Sequence, residues 1–152
     1  MKANFRISST ISFILVGMAI LSCTTQPPIE QEEKKSLEGA WELIYSEYVY
    51  TAVNDTLIGA EFEYPPVKLL TKNHVAFGRR KPNDESISAG GGKYSYDGET
   101  YTFHIKYHTH SPAVGTTVEF KSKLEGDKWT IKGVIPGVDG DILLKEIWKR
   151  IE

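Results

Sequence analysis

Four histidines and one cysteine are the side chains of this chain best suited to metal or nucleophilic chemistry. His104, His108 and His110 fall within seven residues, and His74 stands apart. On an extended strand all three members of the cluster share a face. At ~3.3 Å per residue His104 and His108 are ~13 Å apart, too far for one ion held by bonds of ~2 Å. His108 and His110, ~6.6 Å apart on the same basis, can share an ion if His74 or a carboxylate joins them. A metal site at His108, His110 and His74 is therefore one expectation, and hydrogen-bonded histidines near a loop are the other.

Catalytic patterns are weaker. Gly90-Gly91-Gly92-Lys93 has the glycines of a phosphate loop, but Tyr94 stands where Ser or Thr is needed. A strand also follows where a helix must supply amides, so the segment reads as a flexible loop entering a hairpin. Ser111 beside His110 is a neighbour in sequence, which is not the spatial arrangement of a triad. No Gly-x-Ser-x-Gly elbow occurs. The carboxylates Asp84-Glu85, and Asp139 with Asp141, sit among loop-forming residues, where solvated acids are the norm. The chain is read as a non-enzyme with no cofactor. Arg79-Arg80-Lys81 is its single basic run, fit either to grip an anionic ligand at Arg79 or to cap a strand in solvent.

Aromatics are the richer resource: eight Tyr, three Trp and six Phe, of which only Phe5 and Phe13 precede residue 23. Tyr45, Tyr48, Tyr50, Phe62 and Tyr64 surround a long stretch without clean periodicity, residues 52–66. Large rings with polar tips suit a small hydrophobic or amphiphilic ligand such as a lipid, a bile-acid-like molecule or a sugar. They equally suit the filling of a narrow core.

The elements that must position these residues begin after an address. Lys2 and Arg6 precede an apolar run, Ile11 to Leu21, whose ~16 Å of helix falls short of a ~30 Å hydrocarbon core. A charged start, a short apolar middle and a small residue at a boundary form a signal peptide. The boundary Ile20-Leu21-Ser22-Cys23 resembles the bacterial lipoprotein box, which implies cleavage before Cys23 and lipid attachment to its thiol. Two or three acyl chains anchor firmly, at ~0.8 kcal/mol per buried methylene. Residues 24–36, with two prolines and three glutamates, cannot bury a core and read as a disordered tether. The expected place is the bacterial cell envelope, lipid-anchored to the outer membrane.

Net charge is −2, from 18 basic and 20 acidic residues. Because Lys2 and Arg6 leave with the signal, the remainder carries 16 basic against 20 acidic. Such mild acidity excludes nucleic acid as the main partner. A single cysteine excludes an internal disulfide framework and any multi-cysteine metal site.

Beyond Ser36 the punctuation is that of an all-β domain. Trp41, Leu43 and Tyr45 alternate with Glu42, Ile44 and Ser46 in a first strand to about Thr51. Strands follow at Val67–Leu70 and His74–Arg80, then a loop from Lys81 to Gly91. Tyr94–Tyr96 and Thr100–Tyr107 flank Asp97-Gly98, a preferred hairpin turn. Thr117–Leu124 and Trp129–Val134 flank Glu125-Gly126-Asp127-Lys128. Residues 142–151 close the series as a strand, although Leu143, Ile147 and Ile151 also suit a helix. Eight strands with short antiparallel links can close on themselves and leave no edge. The expected fold is an all-β, single eight-stranded antiparallel up-and-down barrel over residues 37–152.

Gly39-Ala40-Trp41 resembles the Gly-x-Trp opening of lipocalins, and Trp148-Lys149-Arg150 their closing strand. Together with the Tyr94–Thr102 hairpin, the Ser111–Gly115 loop and the Leu124–Asp127 turn, residues 37–151 resemble the lipocalin-like domain of small Bacteroidetes-type lipoproteins. The resemblance implies that Arg150 packs over Trp41 to close the barrel floor, a favourable cation–π pairing. It also implies a barrel whose first long connection covers the open end, so that the 52–66 aromatics line a lid and mouth. Three functions are carried forward. The first is a lipid-tethered barrel binding a small hydrophobic or amphiphilic ligand. The second is an interaction or structural module with a filled barrel. The third is a histidine metal site.

Overall fold

Gly39, Trp41 and the chain's last residues join the two ends of one sheet. The computed structural model describes residues 36–80, 86–137 and 139–152, all within a unit spanning residues 33–152. The expected leader (1–22) lies outside the described residues, as does all of the tether (23–36) except Ser36. The strands are β1 (Gly39–Tyr50), β2 (Asp55–Gly59), β3 (Val67–Leu70), β4 (His74–Arg80), β5 (Ile87–Tyr96), β6 (Thr100–His108), β7 (Thr117–Glu125), β8 (Lys128–Ile135) and β9 (Ile142–Arg150). Each of β3 to β9 pairs antiparallel with the next, and β9 returns to β1, from Trp41↔Arg150 to Tyr50↔Ile142. The result is a closed eight-stranded antiparallel barrel, as the strand count implied.

β2 is the addition. It pairs with β1 from Ser46↔Gly59 to Tyr50↔Asp55, on the edge where β3 pairs lower down, from Gly39↔Leu70 to Glu42↔Val67. β2 and β3 thus share one place in the barrel wall, interrupted by residues 60–66. The aperiodic stretch 52–66 conceals a short strand, because a half-wall exposed on both faces carries no alternation to read.

The last element is a strand. Along β9, Leu144, Glu146 and Trp148 are buried and Leu143 and Lys149 exposed, the period of two that a wall with one wet face requires. β7 alternates from end to end. The loop assigned to Lys81–Gly91 is shorter than expected, since β5 begins at Ile87. Gly90, Gly91 and Gly92 are strand residues, not a flexible loop. A Cβ on Gly90 would meet the Phe77 ring at 2.7 Å, and one on Gly91 the Val75 carbonyl oxygen at 2.9 Å. These glycines admit close neighbours where β4, β5 and β6 crowd together.

Two bulges set the inward face. β1 slips between Leu43 and Tyr45, leaving Ile44 unpaired. Trp41 and Leu43 point in below it, Ser46 and Tyr48 above it. β6 slips opposite Gly91 and Gly92, leaving Lys106 unpaired, so that Tyr107 turns out to 76% exposure and His108 turns in. One extra residue exchanges the faces of everything beyond it.

Candidate functional site

The barrel has a packed end and a hollow end. At the packed end Trp41, Trp129 and Trp148 are buried, with Trp41 and Trp129 edge-to-face at 5.5 Å. Arg150 lies 4.2 Å from the Trp41 ring centroid, as the lipocalin resemblance implied. Its guanidinium also donates to the Glu38 and Ser36 carbonyls. Gly39 sits beneath that guanidinium at φ +130, where a Cβ would strike both Arg150 and the Glu152 carbonyl. The Gly-x-Trp opening is thus a closure device: glycine to admit the arginine, tryptophan to seat it.

Above this floor lies a cavity of ≈ 370 Å³. Phe103, Phe120, Ile131, Leu144 and Phe77 supply much of its wall, and His108, His110, Ala113, Ile135 and Ile142 border its far end. That volume is within the range of small-molecule sites. A second hollow of ≈ 590 Å³ lies where β2 and residues 61–66 face Arg79 and Arg80. Leu43, Tyr48, Pro66 and Arg79 border both.

Inside the cavity is a buried polar chain. Glu146 accepts from the Tyr48 hydroxyl at 2.6 Å, Lys68 Nζ at 3.0 Å and Trp148 Nε1 at 2.9 Å. Arg79 donates to the Tyr48 oxygen at 3.2 Å and lies 5.4 Å from its ring centroid. Burial alone would raise the Glu146 carboxyl, but the Lys68 charge and the three donated bonds outweigh it and hold the group below the usual carboxylate value. Burial pulls Lys68 below the usual amine value, while Glu146 opposes that shift. The lysine is further seated 4.1 Å from the Trp148 centroid and 5.3 Å from that of Trp129. Burial, with Glu146 close by, pushes the Tyr48 hydroxyl far upward, so it stays a donor.

The expected ligand residues separate into groups. Tyr48 and Arg79 line the cavity. Phe62 and Tyr64 line the second hollow, with Arg80 4.8 Å from the Tyr64 centroid. Tyr50 packs against the core cluster. Tyr45 lines neither hollow, which corrects its expected place: the Ile44 bulge turns it outward, where it donates to Glu47 at 3.0 Å beneath Lys145. Within residues 52–66, β2 pairs with β1, and Leu57 to Gly59, Glu61 to Tyr64 and Pro66 line the second hollow together with Arg79 and Arg80.

His108 and His110 come together, with ring centroids 6.3 Å apart and the His110 amide donating to His108 Nδ1 at 2.8 Å. Burial, then His110 and Arg79, hold His108 below the usual imidazole value. His74 does not join them. It stands at the start of β4 opposite Lys93, whereas His108 stands opposite Gly90, and its Nδ1 is paired with the Asn73 side chain at 2.7 Å. Among the described residues no three His, Cys, Asp or Glu side chains are placed to hold a metal ion. Cys23 lies outside the described residues.

Glu146, Lys68 and Tyr101 are the site residues that sequence reasoning passed over. Glu146 had a signal: it occupies the phase of Ile142, Leu144 and Trp148, an acid on the apolar face of a strand. Such a group must find partners or lose its charge.

Among curated proteins no match is found. A similar solved structure is that of an uncharacterized protein from Bacteroides eggerthii DSM 20697, 13% identical, with a TM-score of 0.45 over 76% of this chain and 99% of that one. The family described as "Domain of unknown function (DUF4488)" matches residues 36–152, the entire barrel, and the chain belongs to that family.

Proposed function

We propose that this protein is a lipid-anchored, lipocalin-like binding protein of the bacterial envelope, holding one small amphiphile inside its barrel. The observation that carries the reading is the ≈ 370 Å³ interior, apolar along much of its wall and bordered by convergent polar groups from Tyr48, Arg79 and Glu146. That hollow weighs against a barrel filled by its own side chains. The anchor is supported by the sequence alone: the chain's one cysteine stands where a lipoprotein signal would be cut. No catalytic step is assigned to the site.

Native mass spectrometry of the protein purified from its own cells is the test. The reading expects a non-covalent small-molecule adduct that activation removes. Only the bare or lipidated polypeptide mass, preparation after preparation, would count against it.

A further inference from the structure

The two hollows adjoin, and their linings differ in kind. Leu43, Tyr48, Pro66 and Arg79 border both. The interior is apolar along much of its wall, and its buried charges, Lys68 and Glu146, neutralise each other at 3.0 Å. The second hollow, ≈ 590 Å³, instead carries charges of both signs: Glu61 and Glu63 from the connection after β2, Arg79 and Arg80 from the end of β4. Arg80 is engaged with the Tyr64 ring. Arg79, Glu61 and Glu63 enter no ion pair among the described residues. Unlike charges held apart in one hollow complement a ligand that carries both signs itself.

Their placement gives the order of those charges. Arg79 is half-buried on the shared border, where it donates to the Tyr48 oxygen at 3.2 Å and lines both hollows. Glu61 and Glu63 line only the second. Between them in the chain is half-buried Phe62, whose ring Gly59 admits, since a Cβ there would meet it at 2.7 Å. An aromatic ring with two carboxylates suits an organic ammonium. A guanidinium suits a phosphate or carboxylate. A ligand whose chain fills the interior thus meets the cationic residue at the border and the acidic residues only beyond it.

We infer that the second hollow is the head-group compartment of the barrel's ligand, and that this ligand is a single-chain zwitterion ordered chain, anion, ammonium. The anion lies against Arg79, the ammonium against Glu61, Phe62 and Glu63. This rests on the reading of the barrel as a ligand site. It adds a second site outside the interior and the order of charge in the head group.

Two probes with the same chain and no net charge present that order and its reverse. Dodecylphosphocholine has phosphate beside the chain and ammonium outermost, whereas dodecyl sulfobetaine has ammonium beside the chain and sulfonate outermost. In titration calorimetry of the full chain, each probe below its micelle threshold, dodecylphosphocholine is expected to bind about tenfold more tightly. Glu61→Gln combined with Glu63→Gln, both at exposed positions, is expected to remove that preference. It should weaken dodecylphosphocholine about tenfold, a loss not shared by dodecyl phosphate, which lacks the ammonium. Equal affinity for the two zwitterions, a preference that survives the double substitution, or a loss shared by dodecyl phosphate overturns the inference. Binding of dodecyl phosphate with rejection of dodecylphosphocholine overturns the head-group compartment and leaves the interior site standing. Failure of all three probes to bind brings down the ligand site and the inference together.

Discussion

Trp41 is fully buried, donates from Nε1 to the Leu37 carbonyl at 2.9 Å, and supports Arg150 on its face. Truncation at such a position leaves a cavity the barrel floor cannot refill. Trp41→Ala should therefore cost ~3–5 kcal/mol in denaturant melts. Breaking the interior ion pair should be comparably severe, because the survivor is a buried uncompensated charge. Lys68→Met is expected to cost about 3–5 kcal/mol. Adding Glu146→Gln should recover part of that loss, since no buried charge is then left unpaired and the single amide oxygen can still accept from Trp148 while the amide NH2 donates to the Tyr48 oxygen. A double-mutant cycle measures the coupling. Glu146 also fixes a pH dependence. Its folded value lies below the ordinary 4.5, so its contribution is complete above that pH and is lost as acid carries the solution through the lower folded value. Melts of the wild type and Glu146→Gln between neutral pH and pH ~3 should diverge at the neutral end and converge in acid.

At the scale of elements, the bulges decide which side chains the cavity sees. Alternation along β1 was legible in the sequence, and it located Trp41 and Leu43. It could not show that Ile44 would drop out of register, because a bulge depends on how the partner strands pair across the barrel. Tyr45 was misplaced for that reason, and His108 turns inward only through the same device at Lys106. The glycines tell the same story. Spacing suggested a loose loop, whereas Gly92 is a strand residue on which a Cβ would collide with the His104 carbonyl and the Lys106 amide. Gly92→Ala should cost ~1–3 kcal/mol as an overpacking change. Gly78→Ala, with open space around its Cβ and no positive φ, should be neutral or slightly stabilising. Thermal melts of the two variants side by side check the contrast.

For the whole molecule, the strand count and the Gly39-x-Trp41…Arg150 pairing were enough to anticipate closure, since eight strands with short links leave few other ways to cover their edges. Closure then creates what no local pattern displays: an interior where Lys68 of β3, Arg79 of β4, Tyr101 of β6 and Glu146 of β9 meet, though they lie far apart in the chain. Polar groups that converge only through topology were legible one by one at best. The tether is a separate matter, read from residues 1–23 alone. Cys23→Ser should move the protein from the membrane to the soluble fraction on cell fractionation, and persistent membrane association would refute the anchor.

The three tryptophans supply the most direct probe of whether an amphiphile enters the barrel, because all three are buried at its floor and Trp148 borders the cavity. Tryptophan emission can be followed while the full-length barrel is titrated with brominated dodecanoate, a contact quencher. The account predicts quenching that saturates at one equivalent and is reversed by unlabelled dodecanoate. Emission that stays constant while the probe binds, or that declines without saturating, would mean the acyl chain never reaches the interior and would contradict it.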